Sequence, residues 1–297
     1  METSEPLELF KSRDFGDQLG LTFTFIRENF RLLGKCVLFI AGPLLLVSSF
    51  LFGSAINAGP YRSYGATGGA IGSVFLAMLI LVLAFSVMTT VINEFVALYA
   101  EKGPDGFTLE EVWGETRRDV LKVSFTYFCG AIVIGLASML FLIPGIYCFG
   151  IYTVVVTVQV YERCSISESV SRSIKLVRGH WWLAFGIFVV PFIIAMVMRY
   201  FFEIPALLAV FAEGYFTGHG DRLGVLSMVG TVIATFGGAL CSALPTVATA
   251  LNYFNLREKH DGVGLMRRIQ TIGGNDADSA DDTDSSEKPG SADATGW

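Results

Sequence analysis

Between Val123 and Tyr161 the chain runs 39 residues without a charged side chain, and that stretch limits the fold more than any other feature. As one helix it would be about 58 Å long, nearly twice the roughly 30 Å hydrocarbon core of a bilayer. It must therefore fold back on itself. Pro144-Gly145 sits where the return is needed, because proline disfavours helix at the residue before it and glycine tolerates a sharp turn. The expected halves are Val123–Ile143 and Ile146–Tyr161, the second being the shortest span in the chain.

Four further stretches are long and nearly free of charge: Cys36–Ile56, Ala70–Leu98, Trp181–Tyr200 and Val225–Leu251. Only 16% of the residues are charged, against roughly a quarter in soluble domains. The expected fold class is an all-α integral membrane protein with six transmembrane helices arranged as three hairpins. Positive charge tests the count, since Lys- and Arg-rich loops stay cytoplasmic. With six spans and the N-terminus inside, 18 Lys and Arg fall inside and only Arg62, Arg199 and Arg222 outside. If Val123–Tyr161 crossed once, the split would be 11 against 10. The expectation is thus a multi-pass protein of the cytoplasmic (inner) membrane with both termini in the cytoplasm.

Three regions follow: a cytoplasmic N-terminal segment over 1–35, a membrane domain over 36–256 and a cytoplasmic tail over 257–297. The N-terminal segment is mixed-charge and contains no apolar core of the kind a cleavable signal needs, so the first span is expected to direct insertion. The formal net charge of −6 is carried by the tail, where residues 273–297 hold seven acids and one base. A stretch rich in Asp, Ser, Gly and Ala should stay solvated and disordered.

A unit recurs on the expected cytoplasmic side. Phe15, Leu19, Phe23, Ile26, Phe30 and Leu33 share one face of a helix, with Asp17, Thr24, Arg27, Glu28 and Arg31 largely opposite, the pattern of a helix lying among lipid headgroups. ISESVSRSIKLVRGHWW repeats the layout without a gap, pairing Phe15 with Ile166, Asp17 with Glu168, Leu19 with Val170, Thr22 with Ser173, Arg27 with Arg178 and Phe30 with Trp181. A weaker copy, LEEVWGETRRDVLK, keeps Glu111, Trp113 and Thr116 in step. Two readings fit: three tandem units, or the amphipathic pattern common to juxtamembrane helices. Either way, basic helices would face anionic headgroups, at roughly 1 kcal/mol per well-placed charge.

Small residues at spacing four, Gly230, Ala234, Gly238 and Ser242 on the last span and Gly65, Gly69, Ser73 and Ala77 entering the second, let helices approach closely. They read first as contacts within the bundle and secondly as a homo-oligomer interface. Ionisable groups within spans are costly and are functional candidates. Those here, Glu94 and Glu162 with Asn93, Gln159, Asn252 and Asn255, all approach the cytoplasmic surface. They read either as helix-end groups reaching water or as a cytoplasm-facing ligand-binding pocket in which Glu94 and Glu162 pair with Lys175 or Arg178.

Several chemistries lack their residues. Cys36, Cys129, Cys148, Cys164 and Cys241 form no CxxC pair, and His180, His219 and His260 lie in separate connecting segments, so no metal site or other cofactor is expected. There is no GxSxG, no HExxH and no Cys with a plausible His partner, which points away from an enzyme. GATGGAIG lacks the Lys-Ser/Thr ending of a phosphate loop. Basic residues strung along a membrane boundary beside an acidic tail do not form a nucleic-acid footprint.

The segment YERCSISESVSRSIKLVRGHWW, with an acid closing an apolar span, a Ser-rich short helix, a base before Gly179 and aromatics opening the next span, resembles the membrane domain associated with some prokaryotic glycerophosphodiester phosphodiesterases, which also occurs in stand-alone membrane proteins. IPGIYCFGIY and RDFGDQLGLTFTFIRENFRLL are similar to the Pro-Gly turn and opening helix of that group. The resemblance implies a membrane domain of this kind and an association with lipid headgroups. The catalytic domain of those enzymes is a barrel of alternating strands and helices, and no segment here fits it. Three functions are in view: a non-catalytic membrane scaffold engaging anionic lipid or a protein partner, a small transporter or permease component using the polar pocket, and a lipid-modifying enzyme.

Overall fold

With no water in the hydrocarbon, an apolar segment must close its own backbone hydrogen bonds, and a helix does so within one stretch of chain. The computed structural model describes residues 8–57, 67–104, 106–216, 224–262 and 266. Among these there are eight helices and no strand: α1 (Phe15–Ile40), α2 (Gly42–Asn57), α3 (Thr67–Lys102), α4 (Leu109–Leu140), α5 (Leu142–Tyr161), α6 (Ile166–Val177), α7 (Trp181–Phe216) and α8 (Gly224–Asp261). Five, α3, α4, α5, α7 and α8, contain segments long and apolar enough to cross a bilayer, and α1 with α2, bent by 53°, makes a sixth candidate. Phe39, Phe75, Leu136 and Phe201 are each more than 60% exposed on the outer surface. Apolar exposure on that scale needs lipid rather than water around it, and the protein is an all-α, multi-pass membrane protein.

Two expected boundaries move. The return between α4 and α5 is a single extended residue, Phe141 (φ −154°, ψ 138°), and not Pro144-Gly145. Pro144 instead falls in the first turn of α5, where its missing N–H leaves no helical bond unmade. A Cβ on Gly145 would collide with Ser138, so this glycine allows the close approach of two helices and not the turn itself. As a result α5 has 20 residues, about 30 Å, and the span expected to be shortest is long enough. The bent crossing is the first: α1 runs unbroken from the surface helix to Ile40, then α2 restarts at Gly42-Pro43 for only 16 residues.

The surface helices are not separate pieces in two of the three units, since α1 and α4 continue into apolar sequence. Only α6 stands alone, ended by Arg178 and by Gly179 at φ +84°. All three start in register, however. Their N-caps are Asp14, Thr108 and Ser165, with an acid three residues on at Asp17, Glu111 and Glu168. In α6 the reciprocal capping box is complete: the Glu168 N–H donates to Ser165 Oγ and the Glu168 carboxylate accepts from the Ser165 N–H at 2.9 Å.

The end of the bundle holding these helix starts, called the polar end below, is closed by aromatic packing. Phe25 of α1 sits edge-on to Phe95 and Tyr99 of α3, and Phe107 to Phe95. Phe10 meets Phe254, which meets Tyr161, and the Arg13 N–H donates to Asn255 Oδ1 at 2.9 Å. Along α7 and α8 the small residues are used within the chain: Gly230 adjoins the Ala206 backbone, Gly237 receives the Phe202 ring, and Gly238 lies beside Arg199. Of the other ladder, Ala77 is buried, while Gly65, the packing around Gly69 and Ser73, and the acidic tail lie outside what the structure describes. Helix α8 runs to Asp261, past the boundary expected at 256.

Candidate functional site

Each surface helix divides three ways. On α1 the inward face is Gln18, Leu21, Thr22, Phe25, Asn29 and Leu33. Phe15, Phe23 and Phe30 face outward, and Arg27, Arg31 and Lys35 are exposed beside them. The first turns of α4 bury Val112, Thr116 and Asp119, while Trp113, Arg117, Arg118 and Lys122 are exposed. Helix α6 buries Ser169, Ser173 and Leu176, with Val170, Ile174 and Lys175 exposed. The inward triplets Gln18/Thr22/Phe25, Val112/Thr116/Asp119 and Ser169/Ser173/Leu176 occupy corresponding positions, each with a hydroxyl in the middle. An apolar stripe is thus turned to the surroundings, where lipid supplies the apolar environment, and the side turned to the bundle mixes hydroxyl and amide groups with large apolar side chains.

Beneath these helices lie two charged clusters. In the first, Glu94 of α3 and Asp119 of α4 are buried and their carboxyls adjoin each other. Arg163, between α5 and α6, reaches Glu115 at 2.8 Å and Asp119 at 3.7 Å. Arg163 is the one non-glycine among the described residues at positive φ, +50°, a left-handed conformation that costs a side-chain-bearing residue about 1–2 kcal/mol. It ends α5 and aims the guanidinium back at α4. Burial draws the Arg163 pKa down, but Glu115, Glu94 and Asp119 outweigh it and hold it above the usual arginine value. Glu94 Oε1 meets no donor among the described residues.

In the second cluster Arg172 of α6 joins Glu162, at 3.2 Å, to Asp261 at the end of α8. The Tyr253 hydroxyl donates to Glu162 Oε1 at 2.9 Å, and the Arg257 guanidinium lies over the rings of Phe10 and Tyr161 at 6.0 and 5.4 Å. Desolvation lowers the Arg172 pKa, and its bonds to Asp261 and Glu162 more than restore it, for a net rise.

Deeper in the bundle, hydroxyl and amide groups link α3, α4 and α5. Ser86 donates to Ser124 at 2.9 Å, Tyr127 to Thr89 at 3.0 Å, Thr157 to Asn93 Oδ1 at 2.6 Å, and Thr126 to Gln159 Oε1 at 2.8 Å. This seam borders a partly open cavity of about 200 Å³ lined by Thr89 and Asn93 of α3, Tyr127 of α4, Phe149, Tyr152, Thr153 and Val156 of α5, Phe188 of α7, and Thr246 and Thr249 of α8.

The four residues expected to share a pocket, Glu94, Glu162, Lys175 and Arg178, do not come together. Glu94 joins the first cluster and Glu162 the second, and among the described residues neither forms an ion pair or hydrogen bond with Lys175 or Arg178. The reason is rotation: Arg172 is on the flank of α6 that faces α8, whereas Lys175 and the cap residue Arg178 point outward and are exposed. Asp119, Arg163, Arg172 and Asp261 were not singled out from the sequence. Asp119 could have been, as a lone acid on the buried series Val112, Thr116, Asp119, Val123 and Thr126. Among the described residues no group of three His, Cys, Asp or Glu is placed to hold a metal. No family model, curated protein or solved structure matches the chain.

Proposed function

We propose that this protein is a non-catalytic membrane scaffold whose polar end, facing the cytoplasm, engages anionic lipid headgroups through α1, the first turns of α4, and α6. The observation carrying this reading is the common division of the three helices into an inward face with a hydroxyl at its centre, an outward apolar stripe and exposed cations. Apolar side chains beside Lys and Arg suit the boundary where acyl chains meet phosphates. Lys175 and Arg178, removed from a pocket by the rotation of α6, take the role of surface cations. The glycerophosphodiester phosphodiesterase resemblance agrees with headgroup recognition and adds no activity.

The test is native mass spectrometry of the full chain released from nanodiscs of mixed zwitterionic and anionic phospholipid. Anionic lipid should be enriched on the wild type. Replacing Arg27, Arg31, Lys35, Lys175 and Arg178 with Gln should remove the enrichment, at roughly 1 kcal/mol per cation. Equal retention of both lipids by wild type, or unchanged enrichment in the variant, would overturn the reading. The second reading, a small permease component, is favoured by the polar seam and its cavity. Solute flux in proteoliposomes that is lost in Glu94→Gln would support it.

A further inference from the structure

We propose that the cavity between α3, α4, α5, α7 and α8 is a binding site for a small ammonium-type cation, a primary or methylated amine. This goes beyond the scaffold reading and does not depend on it.

The inference comes from where the protons of the wall point. A hydroxyl has one proton to give and two lone pairs to offer. Thr89 donates to Phe85 O at 2.9 Å and Thr153 to Gly150 O at 2.8 Å. On α8, Thr246 donates to Ser242 O at 3.0 Å and Thr249 to Thr246 O at 2.9 Å. Tyr127 donates to Thr89 Oγ1 and Tyr152 to Thr126 O, at 3.0 and 2.9 Å. Every hydroxyl of the wall has therefore committed its proton to the protein. Of the Asn93 amide, one hydrogen goes to Thr89 O at 2.8 Å and the oxygen accepts from Thr157.

What remains for an occupant is a set of lone pairs and one amide hydrogen. Such a wall satisfies a guest that only donates. An ammonium group has donors and no acceptor, whereas a polyol or an anion would bring oxygens that find almost no partner, and an unmet polar group in this setting is costly. The apolar part of the wall agrees. Phe149 and Phe188 meet edge to face at 4.9 Å, and Tyr127 and Tyr152 at 6.0 Å, and aromatic faces attract a desolvated cation. No Lys or Arg lines the cavity.

The experiment is equilibrium binding of radiolabelled methylammonium to the full chain in zwitterionic nanodiscs, in sodium-containing buffer. Saturable binding near one per chain is expected, displaced by dimethylammonium and not by glycerol or acetate. Thr153→Val with Thr249→Val removes two acceptor oxygens at nearly constant shape and should weaken binding about tenfold or more. Phe188→Leu, read independently, should weaken it through loss of the ring. Thr235→Val, which removes the same kind of back-bond to Thr231 O on α8 outside the wall, should bind as wild type. Absence of saturation in sodium buffer, displacement by glycerol, or wild-type affinity in both the double variant and Phe188→Leu would overturn the proposal.

Discussion

Replacing Arg172 with Gln should destabilise the polar end, and the size of the loss follows from the surroundings. Arg172 is the bridge between two carboxylates from different helices, Glu162 at 3.2 Å and Asp261. The three side chains are about a quarter exposed, at 26%, 23% and 24%. A fully exposed pair contributes about 0–1 kcal/mol, and breaking a buried one costs about 3–5 kcal/mol. The substitution also leaves alternatives in place. Tyr253 still donates to Glu162, and Arg257 at 3.8 Å and His260 at 2.8 Å still face Asp261. The loss should therefore fall between the limits, at about 2 kcal/mol. For a domain of this size that is a fall in Tm of about 4–8 °C. The assay is thermal unfolding in mild detergent, with Asp261→Asn as second arm of a double-mutant cycle. The two changes should combine less than additively, and the Arg172→Gln deficit should shrink in 1 M salt, where the Debye length is about 3 Å. An unchanged Tm, or a strictly additive cycle, would show that the bridge holds nothing together.

Two other outcomes are expected. Gly130→Val should lower Tm, by about 1–3 kcal/mol of overpacking, because a Cβ there meets the Tyr152 ring and that ring is held by its bond to Thr126 O; circular dichroism on heating checks it. The Glu168 carboxylate is held below its usual pKa by the Ser165 N–H and then the Ser165 hydroxyl, so its stabilising effect is present above the unfolded value and fades as pH falls through the folded one. The Tm difference between wild type and Glu168→Gln should accordingly be largest near pH 7 and close up on acidification below pH about 4.

The span layout was legible because it depends on length alone: a run such as Val123–Tyr161 has few ways to be accommodated. The alignment of Phe15 with Ile166 was legible for a related reason, since caps and periodicity are local, and the structure starts both helices at those residues. Facing directions were not legible. In α1 the aromatic stripe and the charged stripe both point outward, and the bundle is met by a third face that includes Gln18, Thr22 and Asn29. Polarity sorting finds two faces and sets the helix among lipid headgroups, where Phe15, Phe23 and Phe30 are indeed exposed, but it does not reveal a third face that mixes polar with large apolar side chains. Partner choice failed through geometry: Arg172 lies within the 12-residue helix and Arg178 caps its end six positions on, and which of them meets Glu162 is fixed by how α6 packs on α5 and α8. Arg163 could not be foreseen, because an arginine in a left-handed turn carries no local signal.

The single-residue return at Phe141 bears on how the protein sits in bilayers of different depth. Met139, Leu140, Phe141, Leu142 and Ile143 are all strongly exposed and all apolar, so that end of the α4–α5 hairpin carries nothing that must stay in contact with water. The opposite ends of the same helices are fastened by Arg163 and the cluster around it. A hairpin anchored at one leaflet and greasy at its far end can follow a thicker or thinner membrane without stranding a charge, whereas the Arg199–Glu203 pair on α7 has to find polar surroundings at a fixed height. Within one chain, the middle hairpin thus has no charge at its far end to constrain its depth, and the last one carries an ion pair that does.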